Sequence, residues 1–115
     1  TTYTKKGYLY DNFKIFHLTD ANLGEIDFHF HDFHKVLIHL SGNTSYSIEG
    51  QTFDLQKNDI VFVGAGEVHR PIFHDDSVYE RIIIYISKSL NYSLNSLIVY
   101  LLFILSKVLS HPLCK

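Results

Sequence analysis

The segment Phe28-His29-Phe30-His31-Asp32-Phe33-His34 crowds three of the chain's eight histidines together, and His69 follows downstream behind Gly64-Ala65-Gly66-Glu67-Val68. On an extended strand, side chains two apart share a face, so His29, His31, Phe33 and Lys35 point one way and Phe28, Phe30, Asp32 and His34 the other. A His-x-His pair on one face converges on a single point, and neutral imidazole is a common metal ligand. The same spacing also describes strand histidines that are merely packed or solvated, and the pair alone does not separate these readings. Lys35 brings an ammonium to the same face. Pointing inward, it opposes a divalent cation by like charge and favours an anionic or hydroxyl-bearing ligand. The other five histidines, among them His17, His34, His39 and His74, form no constellation and read as peripheral.

Such side chains need strands to aim them. From Thr4 to Ser87 the sequence reads as short β-rich runs separated by turn residues. Residues 35–40 form an apolar run closed by Ser41-Gly42-Asn43, and 44–48 and 52–55 alternate about Glu49-Gly50-Gln51 in a hairpin pattern. Residues 60–63 are a short buried strand, and 68–73 and 79–86 are two more, parted by His74-Asp75-Asp76-Ser77. Short strands at this spacing predict a sandwich or barrel rather than a parallel sheet with helices. Beyond Lys88 the period changes: Leu94, Leu97, Ile98, Leu101, Leu102, Leu105, Val108 and Leu109 recur at steps of three and four, which predicts a helix. Its unbroken apolar run, Leu97 to Leu105, is well short of the roughly 20 residues a membrane span needs, so a helix packed on its own barrel and on a partner subunit is the better reading.

Composition narrows the classes further. With 115 residues there is room for one domain, and 46% hydrophobic content excludes intrinsic disorder. Ten Lys+Arg against twelve Asp+Glu leave no basic block for a nucleic-acid backbone. A single cysteine, Cys114, excludes an intrachain disulfide framework and suits a reducing cytoplasm. The chain carries no Met and reads as processed or excised from something longer.

Gly24, His29-x-His31, Gly42, Asp59, Gly64-x-Gly66 and His69 together resemble the two signature motifs of the cupin superfamily, which implies a double-stranded β-helix, a jelly-roll barrel. The usual motifs carry a glutamate, a glycine and a proline where this chain has Lys35, Asn58 and Gly64. Within the cupins, the run from His29 to Lys35, the hairpin from Ile48 to Leu55, Glu67-Val68-His69-Arg70-Pro71 and Tyr79-Glu80-Arg81-Ile82 resemble the N-terminal sensor domain of AraC-family transcription regulators, over about Lys6 to Ser87.

The resemblance implies a cupin-like effector-binding barrel over 1–87, with an N-terminal arm over about Thr1 to Phe13 whose Tyr3, Tyr8 and Tyr10 are available to cover the barrel mouth, and a helical dimerisation segment over 88–115. It implies a small-molecule effector, a homodimer, no membrane, and DNA contact only through a C-terminal helix-turn-helix domain not present in this chain. The expected effector pocket is lined by His29, His31, Lys35 and His69, with Tyr46 and Phe62 as neighbours, and with no catalytic residue and no cofactor. Arg70 and Arg81 are candidates to pair an anionic effector, although Arg81, beside Glu80, reads rather as part of a surface or structural ion pair. The alternative is a small metal-dependent cupin enzyme, of dioxygenase or isomerase type, that holds a divalent transition metal on His29, His31 and His69.

Overall fold

Nine strands lie in two sheets in the computed structural model, which describes residues 3–89. They are β1 (Thr4–Lys5), β2 (Phe13–Asp20), β3 (His29–Phe30), β4 (Phe33–Ser41), β5 (Thr44–Ile48), β6 (Gln51–Asp54), β7 (Ile60–Val63), β8 (His69–Phe73) and β9 (Tyr79–Ser87). One sheet has the order β1-β3-β8-β5-β6 and the other β2-β9-β4-β7. This is the mainly β, two-sheet architecture that the strand spacing predicts. The helical segment read over 88–115 lies, from residue 90 onward, outside the described residues.

The expected runs 35–40, 44–48, 60–63, 68–73 and 79–86 each fall on a strand. The β5–β6 hairpin closes through Glu49 and Gly50, at φ 46° and 83°, with Ile48 paired to Gln51. Two positive φ values match the right-handed twist of the flanking strands, as a type I′ turn requires. Strand β2 has no counterpart among the runs identified in the sequence. It pairs antiparallel with β9 along its whole length, from Phe13 opposite Ile86 to Asp20 opposite Tyr79.

Alternation along the four-stranded sheet sorts its side chains between two faces. Leu37, Val61, Val63 and Ile83 face inward and join Tyr46, Leu55 and Tyr79 in the core. Val36, Ile38, Ile82, Ile84 and Ile86 occupy the alternate positions, each at most 5% exposed. Ile60 and Phe62 extend that outer apolar face at the β7 edge, where they are exposed. A sheet apolar on both faces needs cover on both sides.

Candidate functional site

The chain changes sheets between His31 and Phe33, because β3 belongs to one sheet and β4 to the other. Alternation survives the crossing: His29, His31, Phe33 and Lys35 are all buried, and Phe30, Asp32 and His34 between them are more exposed. His69, on β8, is the direct partner of His29 across the antiparallel pair. The three rings close into a triangle, with centroids 4.5 Å apart for His29 and His69, 4.9 Å for His31 and His69, and 5.1 Å for His29 and His31. His31 also stacks on Phe33 at 4.7 Å.

Backbone carbonyls fix the tautomer of all three. His29 Nδ1 donates to Asp27 O at 2.8 Å, His31 Nδ1 to Lys6 O at 2.6 Å and His69 Nδ1 to Glu67 O at 2.9 Å. A carbonyl only accepts, so each Nδ1 carries the hydrogen and each Nε2 keeps a lone pair. The Nε2 atoms of His31 and His69 are buried without a hydrogen-bond partner. Burial pushes His31 down to about 4 and His69 to about 3, the Lys6 and Glu67 carbonyls acting the other way, and it lowers His29 as well. The rings are therefore neutral at pH 7. One ligand nitrogen from each lies within 4.8 Å of the others. Orphaned Nε2 atoms on neutral rings, each steered by a carbonyl behind it, fit a divalent transition metal.

Lys35 does not complete such a set with a carboxylate. Its Nζ donates to the Tyr46 hydroxyl at 2.6 Å, and burial pushes the ammonium down to about 8, with Tyr85 acting against this and the Arg81 charge adding to it. Both residues line a cavity of about 260 Å³ between the sheets, together with His29, Tyr79, Arg81, Tyr85 and apolar side chains including Leu37 and Ile83. Lys6 reaches this cavity from the arm, and Leu23 and Ile26 from the β2–β3 loop. Burial raises the Tyr46 and Tyr79 hydroxyls far above the usual tyrosine range, so both remain protonated.

Of the side chains expected at a pocket, the structure thus brings His29, His31, Lys35, Tyr46 and His69 together and leaves Phe62 out. Val61 and Val63 take the inward positions of β7, and Phe62, 53% exposed, stacks on His34 at 5.7 Å on the outside. The arm tyrosines do not cover a mouth: Tyr8 and Tyr10 stack on each other in solvent, and Tyr3 packs on Phe28. Glu80 turns outward to His17 at 2.7 Å, and Arg81 turns inward, with Nη1 donating to Asp20 at 2.6 Å. His39 is not peripheral either; it is 2% exposed, and its Nε2 donates to Gly42 O at 2.9 Å. A second cavity, of about 430 Å³, lies between the β2–β3 loop and β8, with Glu25, Arg70, Asp75 and Asp76 on its walls. The Glu25, Asp75 and Asp76 carboxylates are exposed and Arg70 is half-buried with Glu25 at 3.4 Å, whereas Lys35 and Arg81 of the interior cavity are buried, so the interior cavity is the better-built site.

The family model described as an AraC-like ligand-binding domain matches residues 17–94. The chain belongs to that family. Solved structures similar to this AraC-like domain include cupins. An RmlC-like cupin family protein from Methanocaldococcus jannaschii, with a double-stranded β-helix fold, is 18% identical with a TM-score of 0.57, over 70% of this chain and 76% of that one. A cupin superfamily protein from Desulfitobacterium hafniense is 16% identical with a TM-score of 0.59, over 70% and 72%. The DMSP lyase DddQ from Ruegeria pomeroyi is 21% identical with a TM-score of 0.57, over 72% of this chain and 42% of that one. At these identities the likeness shows the cupin fold of the AraC-like domain and nothing of its chemistry. No curated protein matches the sequence.

Proposed function

We propose that this AraC-like domain is the effector-sensing and dimerising module of a cytoplasmic transcription regulator, in which a separate helix-turn-helix domain contacts DNA. The supporting observation is the interior cavity of about 260 Å³, to which both sheets, the arm and the β2–β3 loop all contribute lining. A ligand there touches Lys6, whose amide donates to Phe30 O and whose carbonyl accepts from His31. An effector that binds better with the arm seated than with it released shifts the arm's population, and the attached domains with it. The outer face of Val36, Ile38, Ile82, Ile84 and Ile86 offers an apolar seat for the stripe from Leu94 to Leu109, and further apolar positions of that stripe serve a second copy. A dimer mass in sedimentation velocity at micromolar protein supports this assembly, and a monomer mass contradicts it.

A thermal-shift screen of small polar compounds against the whole chain tests the sensing role. Compounds that raise the melting temperature of the wild type and of Phe62→Ala, but not of Lys35→Met, support an effector site inside the barrel. No stabilising compound, or equal stabilisation of Lys35→Met, counts against it.

A metal-dependent cupin enzyme is the second reading, favoured by the orphaned Nε2 atoms of His31 and His69 beside His29. His29, His31 and His69 would hold the ion, which would supply Lewis acidity to a bound substrate. Elemental analysis of protein purified without an affinity-tag metal column separates the two: stoichiometric iron, manganese, nickel or zinc with turnover of a substrate favours the enzyme.

A further inference from the structure

Arg81 is 8% exposed and Lys35 7% exposed, and both line the interior cavity. Among the described residues, no carboxylate lines that cavity. The hydrogen-bond partner of Lys35 Nζ among the described residues is a neutral hydroxyl, that of Tyr46. Arg81 has one carboxylate partner among the described residues, Asp20, whose side chain is 40% exposed, and the buried Arg81 Nε has no hydrogen-bond partner there. Two cations with one carboxylate between them leave a buried positive charge, which is costly unless a counter-charge arrives. The guanidinium carbon of Arg81 lies over the Tyr79 ring, 4.4 Å from its centroid.

We infer that the barrel takes a small organic anion, its carboxylate or comparable acidic group seated between Lys35 and Arg81 and its apolar body lying against Leu37 and Ile83. The inference rests on the ligand-sensing reading of this cavity and adds the class of ligand. A carboxylate placed there gives a charge-assisted partner to Lys35 Nζ, which has only a neutral one among the described residues, and a second anionic partner to the Arg81 guanidinium beside Asp20. The volume of about 260 Å³ is below the range of drug-sized sites, roughly 300–1,000 Å³, and suits a small anion.

The test is a nuclear magnetic resonance titration of the whole chain with matched sets of probes: benzoate, benzamide and benzylamine, and hexanoate, hexanamide and hexylamine. The expected result is that the carboxylates shift the Tyr46, Tyr79 and Ile83 signals and bind about tenfold or more tighter than the amides, because the amide leaves a buried charge unmatched. In Lys35→Met, checked for fold by circular dichroism, that preference falls at least severalfold. Arg81→Gln does the same if it folds, but discrimination by the wild type needs no variant. Amides or amines that bind as well as the carboxylates overturn the anion assignment and leave the sensing role standing. Failure of every probe to shift signals of the cavity residues overturns both.

Discussion

The Lys35 ammonium and the Tyr46 hydroxyl meet at 2.6 Å across the barrel interior, and they join the two sheets, since Lys35 belongs to β4 and Tyr46 to β5. Both side chains are buried, and the sequence resemblance puts Lys35 where cupins usually carry a carboxylate. The hydrogen bond therefore marks the point at which this barrel departs from a metal-binding pattern toward a polar, cationic pocket.

Tyr46→Phe removes the acceptor and leaves the Lys35 ammonium buried with no hydrogen-bond partner. Urea unfolding followed by circular dichroism should show a loss of about 1–3 kcal/mol. Lys35→Met in the Tyr46→Phe background should recover most of that loss, because no charge then remains unpaired. A Tyr46→Phe variant as stable as the wild type would mean that the contact carries no weight.

The pH dependence of stability follows from Lys35. Its pKa in the folded chain is about 8 against an ordinary 10.5, so above pH 8 the unfolded chain binds more protons than the folded one, and stability rises with pH through that window. Tyr46 and Tyr79 act oppositely, because their raised pKa values stabilise the fold below pH 10 and lose that contribution above it. Arg81, Tyr85, His29 and Lys6 share the cavity and complete the charges that Lys35 faces. The melting temperature of the wild type should rise relative to Lys35→Met between pH 8 and pH 9.5. Carboxylate affinity should fall over the same interval as the ammonium loses its proton. Parallel profiles for the two proteins would contradict the burial of a charged Lys35.

Three Nδ1–H groups tied to backbone carbonyls leave a preformed set of nitrogens for zinc or cobalt. On the metal-dependent reading, zinc at about one hundred times its dissociation constant should stabilise the metal-free protein by about 2.7 kcal/mol, and the absence of any shift counts against that reading. His69→Gln should abolish the shift and His34→Gln should not. Equal shifts in both variants would place the ion outside the three-histidine set.

Gly42 holds the turn between β4 and β5 at φ +116°, and a Cβ there would lie 3.1 Å from Val78 O and 3.2 Å from Tyr79 Cα. Both contacts are with backbone, which cannot swing aside. Gly42→Ala should therefore cost about 1–3 kcal/mol in urea unfolding. It should also loosen the Tyr79 wall of the cavity, so a carboxylate probe binds more weakly. An unaltered melting temperature would show that the turn relaxes freely.

Much of the site was legible in the sequence because period-two alternation is a local property. His29, His31, Phe33 and Lys35 share the interior even though the chain passes from one sheet to the other between them. The β5–β6 hairpin was equally legible from Gly50 and its flanking alternation. Phe62 was misplaced because β7 is apolar on both faces: Ile60 and Phe62 look outward and Val61 and Val63 inward, so hydrophobicity carried no direction. The structural ion pair expected of Arg81 is present, with Asp20 rather than Glu80 as its carboxylate. Glu80 is the sequence neighbour of Arg81, yet adjacent strand residues face opposite ways, and Arg81 reaches a carboxylate on β2. Strand β2 itself went unread. Its burial is partial along the whole run, and its role depends on pairing with β9, which follows it by most of the described chain.

The central claim, that a small molecule binds inside the barrel, is tested most directly by a crystal structure of the chain grown with the tightest-binding carboxylate of the probe panel. The account predicts density between Lys35 and Arg81, walled by Tyr46 and Tyr79. Density confined to the outer groove at Glu25, Arg70 and Asp75, with none in the interior, would contradict it.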